Sequence, residues 1–305
     1  MLAAAIDRGY WANQFGRSLR RDATNTIGFV VETGSAANRK SGEYFFIVFD
    51  EMNPYLTDRS YHLEIPSCHS ADDPVAFLAR AVARGTVGEL VTTVTRRHNR
   101  RIEMLARSDL PFITPGRSET EGGYPWIDLD FEGVAARSVQ ELMAHGHRRI
   151  AVGLQDREVM LGHCYRRGFA QPIAAARSPV EEDLIFRIPP SEAGGFELGR
   201  LVANANPRPT AVMLCFEAAT VGLCASLQHT GTMPGADISV ITLRENPHLR
   251  FLAPPPACFR GVVALIGQML AESVLRLLST DEDPQPSRKT GIVLPMAYVA
   301  AASLS

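Results

Sequence analysis

From residue 26 onward the chain alternates between short apolar runs and amphipathic stretches, and this alternation limits the folds it can adopt. Residues 26–31 form a continuous run of β-branched, apolar and aromatic residues, which is typical of a strand buried on both faces. The stretches between such runs place apolar residues three and four positions apart, as amphipathic helices do. Strands that alternate with helices form right-handed βαβ units and mainly parallel sheets. The sequence therefore predicts an α/β protein.

The alternation occurs twice, and two successive runs indicate two similar lobes, each with a doubly wound parallel sheet. A long amphipathic helix is predicted over 262–277, and a final strand over 292–299 follows a loop rich in proline and charge. The remaining predicted strands cover residues 26–31, 61–65, 90–94 and 111–114 in the first run, and 149–152, 184–187, 211–215 and 238–241 in the second.

Composition excludes several other classes of protein. No apolar run approaches the roughly 18 residues that span a bilayer, so we expect no membrane contact. Residues 1–10 lack the basic start, long apolar stretch and cleavage site of a signal peptide, so we expect a cytoplasmic location. The five cysteines are scattered and none forms a Cys-x-x-Cys pair. We therefore expect reduced thiols and neither a metal nor another cofactor.

The charge of the chain is uneven. Residues 1–22 contain four arginines and two aspartates, a local charge of +2, whereas the whole chain has a net charge of −2. The remaining residues therefore sum to −4. A basic N-terminal end on a mildly acidic body favours contact with nucleic acid at that end alone.

The chain contains His-Gly-His-Arg-Arg-Ile-Ala at residues 145–151 and Arg-Gly-Phe at residues 167–169, among five motifs that follow one another in a characteristic order. This ordered set resembles the LacI/GalR family of transcriptional regulators. Residues 3–28 are similar to the segment that leads from the last helix of a helix-turn-helix head, through a hinge helix, into the first core strand. Residues 145–151 and 167–169 match two further motifs. Residues 209–222 and 237–240 match a fourth and a fifth. The resemblance covers nearly the whole chain.

This resemblance implies a core of the type I periplasmic-binding-protein kind, in which a ligand cleft separates two doubly wound parallel-sheet lobes behind a short N-terminal hinge segment. It also implies three chain crossings between the lobes, near residues 126–130, 254–259 and 286–292. The expected organisation is a remnant of the DNA-binding head with the hinge helix at 1–25, an N-terminal lobe at 26–127 with 259–285, and a C-terminal lobe at 128–258 with 286–305.

The hinge segment carries the residues that the resemblance assigns to DNA. The family inserts a leucine into the minor groove, and Leu19 occupies that position between Arg17 and Arg20, which could reach phosphates. Asn13 and Ser18 belong to the same expected DNA surface. An exposed leucine on a frayed segment is the alternative. The recognition helix expected before residue 1 is missing, which leaves a late start codon, a cut chain or a loss of specific DNA binding as explanations.

The effector site is expected at the carboxyl ends of the strands, where open α/β sheets bind ligands. Arg117 lies in the family's Gly-Arg position, and its planar guanidinium suits paired hydroxyls or a carboxylate; a surface arginine is the alternative. Tyr44, Phe45 and Trp126 could stack on the face of a sugar, and core packing is an equal alternative.

Four positions depart from the family's sugar-binding pattern. Arg244 and Glu245 lie where the family has an aspartate, so a donor of hydrogen bonds replaces an acceptor. This exchange favours an acidic or phosphorylated ligand or a differently oriented sugar. The alternatives are that Arg244 is a rim residue paired with Glu245, and that Glu217 only stabilises a helix N-terminus. The other departures are Tyr165 in place of an arginine, Phe216-Glu217 in place of Asn-Asp, and Asp130-Phe131 in place of Asp-Asn.

These observations predict a LacI-type regulator that binds a small saccharide or sugar acid between its lobes. As a C2 homodimer it would couple effector binding to operator DNA. The alternative is a stand-alone cytoplasmic sugar-binding protein that lacks DNA binding. An enzyme is not expected, because the common nucleophile, phosphate-loop and zinc motifs do not occur. Asp128 and Asp130, on neighbouring strand positions, offer no catalytic geometry.

Overall fold

A computed structural model shows two α/β units that are connected by several passages of the chain. It describes residues 25–32, 42–69, 72–83, 89–92, 96–108, 110–278, 291–301 and 304. None of the helices in these ranges is both long and apolar enough to cross a membrane. The helices are α1 (Gly42–Thr57), α2 (Pro74–Ala83), α3 (Arg100–Ala106), α4 (Phe131–Ala144), α5 (Met160–Ala175), α6 (Glu192–Asn204), α7 (Glu217–His229) and α8 (Val263–Leu278).

The strands form two parallel sheets and one small antiparallel pair. The first sheet has the order β12-β6-β5-β4-β1-β2, with β3 also pairing with β1, and the second has the order β10-β9-β7-β8. The strands are β1 (Thr26–Glu32), β2 (His62–Glu64), β3 (Ser67–Cys68), β4 (Glu89–Thr92), β5 (Phe112–Pro115), β6 (Trp126–Leu129), β7 (Ile150–Gln155), β8 (Ile185–Ile188), β9 (Ala211–Leu214), β10 (Ser239–Thr242), β11 (Cys258–Arg260), β12 (Gly291–Leu294) and β13 (Ala297–Val299).

Both faces of the first sheet are covered by helices, as its apolar strands require. Ile27 and Phe29 on β1 belong to a core that includes residues of α1 and α8. Val30, the next residue along, belongs to a separate core with Leu78 of α2 and Ile102 of α3. Since successive side chains of a strand point to opposite faces, this division confirms a doubly wound lobe.

In the second lobe, the buried apolar residues form one core. Helix α4 packs against α5, and α6 packs closely against α7. Glycines permit these contacts: a Cβ atom on Gly195 of α6 would lie 1.9 Å from the carbonyl oxygen of Ala219 in α7. A Cβ atom on Gly168 of α5 would lie 2.0 Å from the carbonyl oxygen of Glu132 in α4. The glycine of the Arg-Gly-Phe motif is therefore needed for helix packing.

The motif at 145–151 also has a structural role. His147 is buried, and its two ring nitrogens lie 2.9 Å from Thr210 Oγ1 and 2.8 Å from Ser239 Oγ. These hydroxyls flank the starts of β9 and β10, so one imidazole ties three neighbouring strands together at their amino ends.

The predicted final strand is in fact two strands in different sheets. β12 pairs in parallel with β6 in the first sheet, whereas β13 pairs in antiparallel with β11. Pro295 lies between them and has no N–H to continue a strand ladder. Residues 291–294 therefore complete the first sheet and belong to the N-terminal lobe. The family resemblance had implied that 286–305 belong to the C-terminal lobe, with a crossing between the lobes near 286–292. In the structure, the chain crosses after Leu294 instead.

Candidate functional site

The carboxyl ends of the two sheets bring a group of charged and aromatic side chains together between the lobes. Tyr44 lies at the start of α1, Arg117 follows β5, and Asp128 is on β6. From the second lobe, Glu217 begins α7 after β9, and Arg244 follows β10. We call these five residues and Trp126 the cleft cluster. Their position is the one at which open α/β sheets bind ligands.

One half of the cleft cluster is an ion pair of the second lobe that contacts the first. Arg244 Nε lies 2.8 Å from Glu217 Oε1, and the two side chains are only 22% and 17% exposed. The Arg244 guanidinium also lies 5.0 Å from the centre of the Tyr44 ring, a cation–π contact between lobes. Burial raises the pKa of Tyr44 to about 12, so its hydroxyl keeps its proton at neutral pH.

The other half is an ion pair within the first lobe. Arg117 Nε lies 3.3 Å from Asp128 Oδ2, and the backbone N–H of Arg117 donates to the same oxygen. The backbone N–H of Leu129 donates to Asp128 Oδ1 at 2.9 Å. Burial nevertheless raises the pKa of Asp128 to about 6, because its carboxyl is almost fully removed from water.

Arg117 has a buried hydrogen-bond donor that no described residue accepts from. Its guanidinium lies 5.9 Å from the centre of the Trp126 ring. Its Nη2 atom is buried and has no hydrogen-bond partner in the part of the chain that the structure describes. A buried donor without an acceptor is costly. A polar ligand in the cleft could supply that acceptor.

Three predicted effector contacts lie in the cores instead. Phe45 is buried in the first core, with its ring edge-on to Phe29, so core packing, the stated alternative, applies to it. Tyr165 is fully buried in the second core, where its hydroxyl donates to the carbonyl of Leu214 at 3.2 Å. Phe216 is buried in the same core. Tyr165 is fully buried and Phe216 is 7% exposed, so both side chains contribute mainly to core packing behind the cleft.

Two further assignments are clarified by the geometry. Asp130 caps α4, since its Oδ1 accepts a hydrogen bond from the N–H of Gly133 at 2.9 Å. The suggested pair between Arg244 and Glu245 is wrong, because Glu245 pairs with Arg260 at 2.6 Å on the exposed surface. Glu217 is accordingly a partner of Arg244 and more than a helix-terminal charge.

Sequence patterns did not identify Asp128 as a candidate binding residue, because it was considered only as a catalytic acid. The available signal was a carboxylate between two apolar residues of a buried strand, since Ile127 and Leu129 both belong to the first core. Sequence patterns also did not identify Cys164, a buried thiol of α5 that is under the electrostatic influence of Arg117 and Asp128. The predicted DNA contacts Asn13, Arg17, Ser18, Leu19 and Arg20 lie outside the described residues.

The cleft cluster thus offers guanidinium donors, carboxylate acceptors and aromatic faces, a combination that suits a polar organic ligand. Among the described residues, no group of three or more histidine, cysteine or acidic side chains could hold a metal ion. The fold and the cluster together define a two-lobed ligand-binding domain.

Comparison with known proteins agrees with this class. Residues 139–298 match the family model described as a periplasmic binding protein-like domain. The HTH-type transcriptional regulator AglR of Rhizobium meliloti is 24% identical over 246 residues, which cover 79% of this chain and 67% of AglR. A CelR–cellobiose complex has a TM-score of 0.82 at 17% identity and covers 98% of this chain and 94% of its own. The lac repressor dimer bound to operator and the anti-inducer ONPF also has a TM-score of 0.82 at 17% identity, covering 99% and 88%.

The chain belongs to the LacI/GalR family of transcriptional regulators and has the family's periplasmic-binding-protein-like core. The predicted family and fold class are confirmed. The expectation that the chain is not an enzyme is confirmed as well, since the relatives that it matches are transcriptional regulators.

Proposed function

We propose that this regulator binds a small saccharide or sugar acid in the cleft between its lobes, and that effector binding changes its affinity for operator DNA. In this proposal the active species is a homodimer in the cytoplasm. The observation that carries the proposal is the cleft cluster, in which one arginine–carboxylate pair and two aromatic rings of the first lobe lie beside a second arginine–carboxylate pair from the other lobe.

The chemistry of the cleft cluster supports a hydroxyl-rich ligand. The carboxylates of Asp128 and Glu217 can accept hydrogen bonds from sugar hydroxyls, and the guanidinium groups of Arg117 and Arg244 can donate to them. Aromatic rings beside such groups provide an apolar surface for a sugar face. The CelR structure, a neighbour in fold, is a complex with the disaccharide cellobiose.

The charge balance of the cluster distinguishes between the two ligand types. Arg244 is neutralised by Glu217, and Arg117 by Asp128, so the four side chains carry no net charge when Asp128 is ionised. From the sequence, the arginine at 244 favoured an acidic or phosphorylated ligand or a differently oriented sugar, because Glu217 was not identified as its partner. The ion pairs favour a neutral saccharide within the proposed class, since each arginine of the cluster is already paired with a carboxylate.

Coupling to DNA requires the ligand to prefer one arrangement of the lobes. The cluster includes groups of both lobes, so a ligand that contacts Tyr44 and Arg244 together would favour the closed arrangement. The lac repressor, a structural neighbour, is seen as a dimer on its operator. We propose the same use for the hinge residues, with Leu19 entering the minor groove.

The ligand proposal can be tested by calorimetric titration with neutral mono- and disaccharides, uronic acids and nucleobases. A neutral saccharide should bind, and Glu217→Gln should weaken it at least tenfold because the variant loses an acceptor and leaves Arg244 unbalanced. Glu197→Gln is the matched control, since Glu197 forms an exposed pair with Arg200 away from the cleft. If nucleobases bind and no saccharide or uronic acid does, the proposal of a saccharide or sugar-acid ligand is refuted.

The DNA proposal can be tested by fluorescence anisotropy with promoter DNA from the gene's own neighbourhood. A binding saccharide should change the DNA affinity by roughly 5- to 150-fold, the usual range of allosteric coupling. Leu19→Ala should weaken DNA binding without changing the saccharide affinity. Saccharide binding with no DNA binding in any condition would instead support the stand-alone sugar-binding protein. Analytical ultracentrifugation tests the dimer.

A further inference from the structure

The two lobes also meet at a second place, between the segment after β4 and the start of α5. Arg96 and Val159 form an isolated antiparallel bridge. The backbone N–H of Arg97 donates to the carbonyl of Glu158 at 3.4 Å. Arg96 and Arg97 belong to the first lobe, and the other two residues belong to the second. Because a backbone bridge requires close approach, these contacts form only when the lobes are closed upon each other.

Glu119, in the loop after β5, connects the side chains at this place. Its Oε2 accepts a hydrogen bond from Arg97 Nε at 2.6 Å, and its Oε1 lies 3.2 Å from His163 Nε2 on α5. The backbone N–H of Glu119 donates to the carbonyl of Arg97 at 2.8 Å, which fixes the two first-lobe segments relative to each other. One carboxylate therefore joins an arginine of its own lobe to a histidine of the other.

The charges around these side chains are consistent with the contact. The hydrogen bond from Arg97 holds the pKa of Glu119 below its ordinary value, so Glu119 is ionised at neutral pH. Burial, and then the charge of Arg97, hold the pKa of His163 below its ordinary value, while Glu119 and Glu158 oppose this and Arg167 adds to it. A neutral imidazole with its proton on Nε2 donates directly to Glu119 Oε1.

We infer that Arg97, Glu119 and His163 form a latch that favours the closed arrangement of the lobes without a ligand. The three side chains are 42%, 30% and 27% exposed, so each contact is modest and the latch acts through their combination. A latch of this kind raises the closed population before an effector arrives, and thereby raises the apparent affinity for any ligand that needs closure. It does not depend on the chemical class of the effector.

Two buried cysteines can report on the latch. Cys164 on α5 has no exposed surface, and first-lobe residues Arg117 and Asp128 act on its thiol. Arg117 hydrogen-bonds to this thiol from the first lobe, so we expect opening of the cleft to uncover it. Cys224 on α7 is buried within the second lobe, and burial raises its pKa to about 12. It becomes reactive only when that lobe itself opens.

The test is the rate of iodoacetamide modification at each thiol, followed by peptide mass spectrometry in the full chain. In Glu119→Gln the rate at Cys164 should rise roughly three- to tenfold, as expected for loss of a small ion-pair network. Glu197→Gln, which removes an exposed ion pair within one lobe, should leave it unchanged. The rate at Cys224 should be the same in all proteins. An unchanged rate at Cys164 in Glu119→Gln would overturn the inference, as would an equal rise at both thiols.

A cross-link separates closure from local effects. Residues opposite each other in an antiparallel pair have Cα atoms about 4.5–5.5 Å apart, within the range for a disulfide. Oxidised Arg96→Cys/Val159→Cys should protect Cys164 at least tenfold relative to Val159→Cys alone. Adding Glu119→Gln to the oxidised protein should then have no effect. If this addition still accelerates modification of Cys164, the latch does not act through lobe closure.

Discussion

Replacing Gly195 with alanine tests the close helix contact of the second lobe. A Cβ atom at this position would lie 1.9 Å from the carbonyl oxygen of Ala219 and 2.6 Å from its Cα. Carbon–oxygen contacts ordinarily begin at about 3.3 Å, so α6 and α7 would have to separate by more than roughly 1 Å. The obstacle is backbone, which cannot rotate away as a flexible side chain can.

The cost follows from what the separation disturbs. Leu198 and Val202 of α6, and Leu223 and Leu227 of α7, are fully buried in the core that this movement would loosen. Overpacking a close-packed core costs about 1–3 kcal/mol and occasionally more. Because backbone blocks the new methyl group, we expect Gly195→Ala to lose about 3 kcal/mol, a large part of the roughly 5–15 kcal/mol that stabilises a typical domain.

The assay is urea unfolding followed by circular dichroism, with Gly162→Ala as the control. Gly162 is also helical, but the heavy atom nearest its added Cβ is 4.0 Å away. Alanine there should stabilise the helix by about 0.5–1 kcal/mol, because glycine loses more conformational entropy on folding. Equal stability of Gly195→Ala and the wild type, or the same direction of change in both variants, would refute the reasoning.

Three further predictions concern single side chains. His147→Ala should cost about 1–3 kcal/mol because it removes a buried imidazole and leaves the buried hydroxyl of Ser239 without that partner, whereas the exposed His145→Ala should stay within about 0.5 kcal/mol in the same urea assay; equal losses would contradict this. The raised pKa of Asp128, from 3.8 to about 6, means that the folded state holds this proton more tightly, so stability should fall by up to about 3 kcal/mol as pH rises from 4 through 6. Asp128→Asn should remove that dependence, and an unchanged pH profile would count against it. Asp130→Ala should cost about 1 kcal/mol by loss of the α4 cap, while Asp130→Asn should retain most of the stability; an asparagine variant as unstable as the alanine one would exclude capping.

The fold could be predicted from local patterns, because the spacing of apolar residues within a short segment distinguishes a strand from a helix. The alternation of strands and helices, the two lobes and the long C-terminal helix followed directly from apolar spacing. The final strand was harder, since 292–299 is apolar throughout and only Pro295 marks the break between β12 and β13. Pairing partners of a strand are set by tertiary structure, which no local pattern specifies.

The site was less predictable, because its contacts join residues that are distant in sequence. Tyr44 and Phe45 are neighbours on α1, so they point about 100° apart and only Tyr44 contacts Arg244. Arg244 finds its partner in Glu217, 27 positions earlier, and not in the adjacent Glu245. Family motifs located the region of the cleft, but the choice of charge partner depends on side-chain geometry.

The place of β12 has a consequence for how this chain is made. β6 pairs with β5 on one side, but it gains its second neighbour, β12, only when residues 291–294 have been synthesised, roughly 165 residues after β6 itself. At a translation rate of about 5–20 residues per second, that interval lasts on the order of 10–30 seconds. During this time the N-terminal lobe has one unpaired edge, on β6, and for most of it the lobe also lacks α8, the helix that packs against α1. The lobe whose first strand is synthesised early is thus completed only after residue 294 has been synthesised.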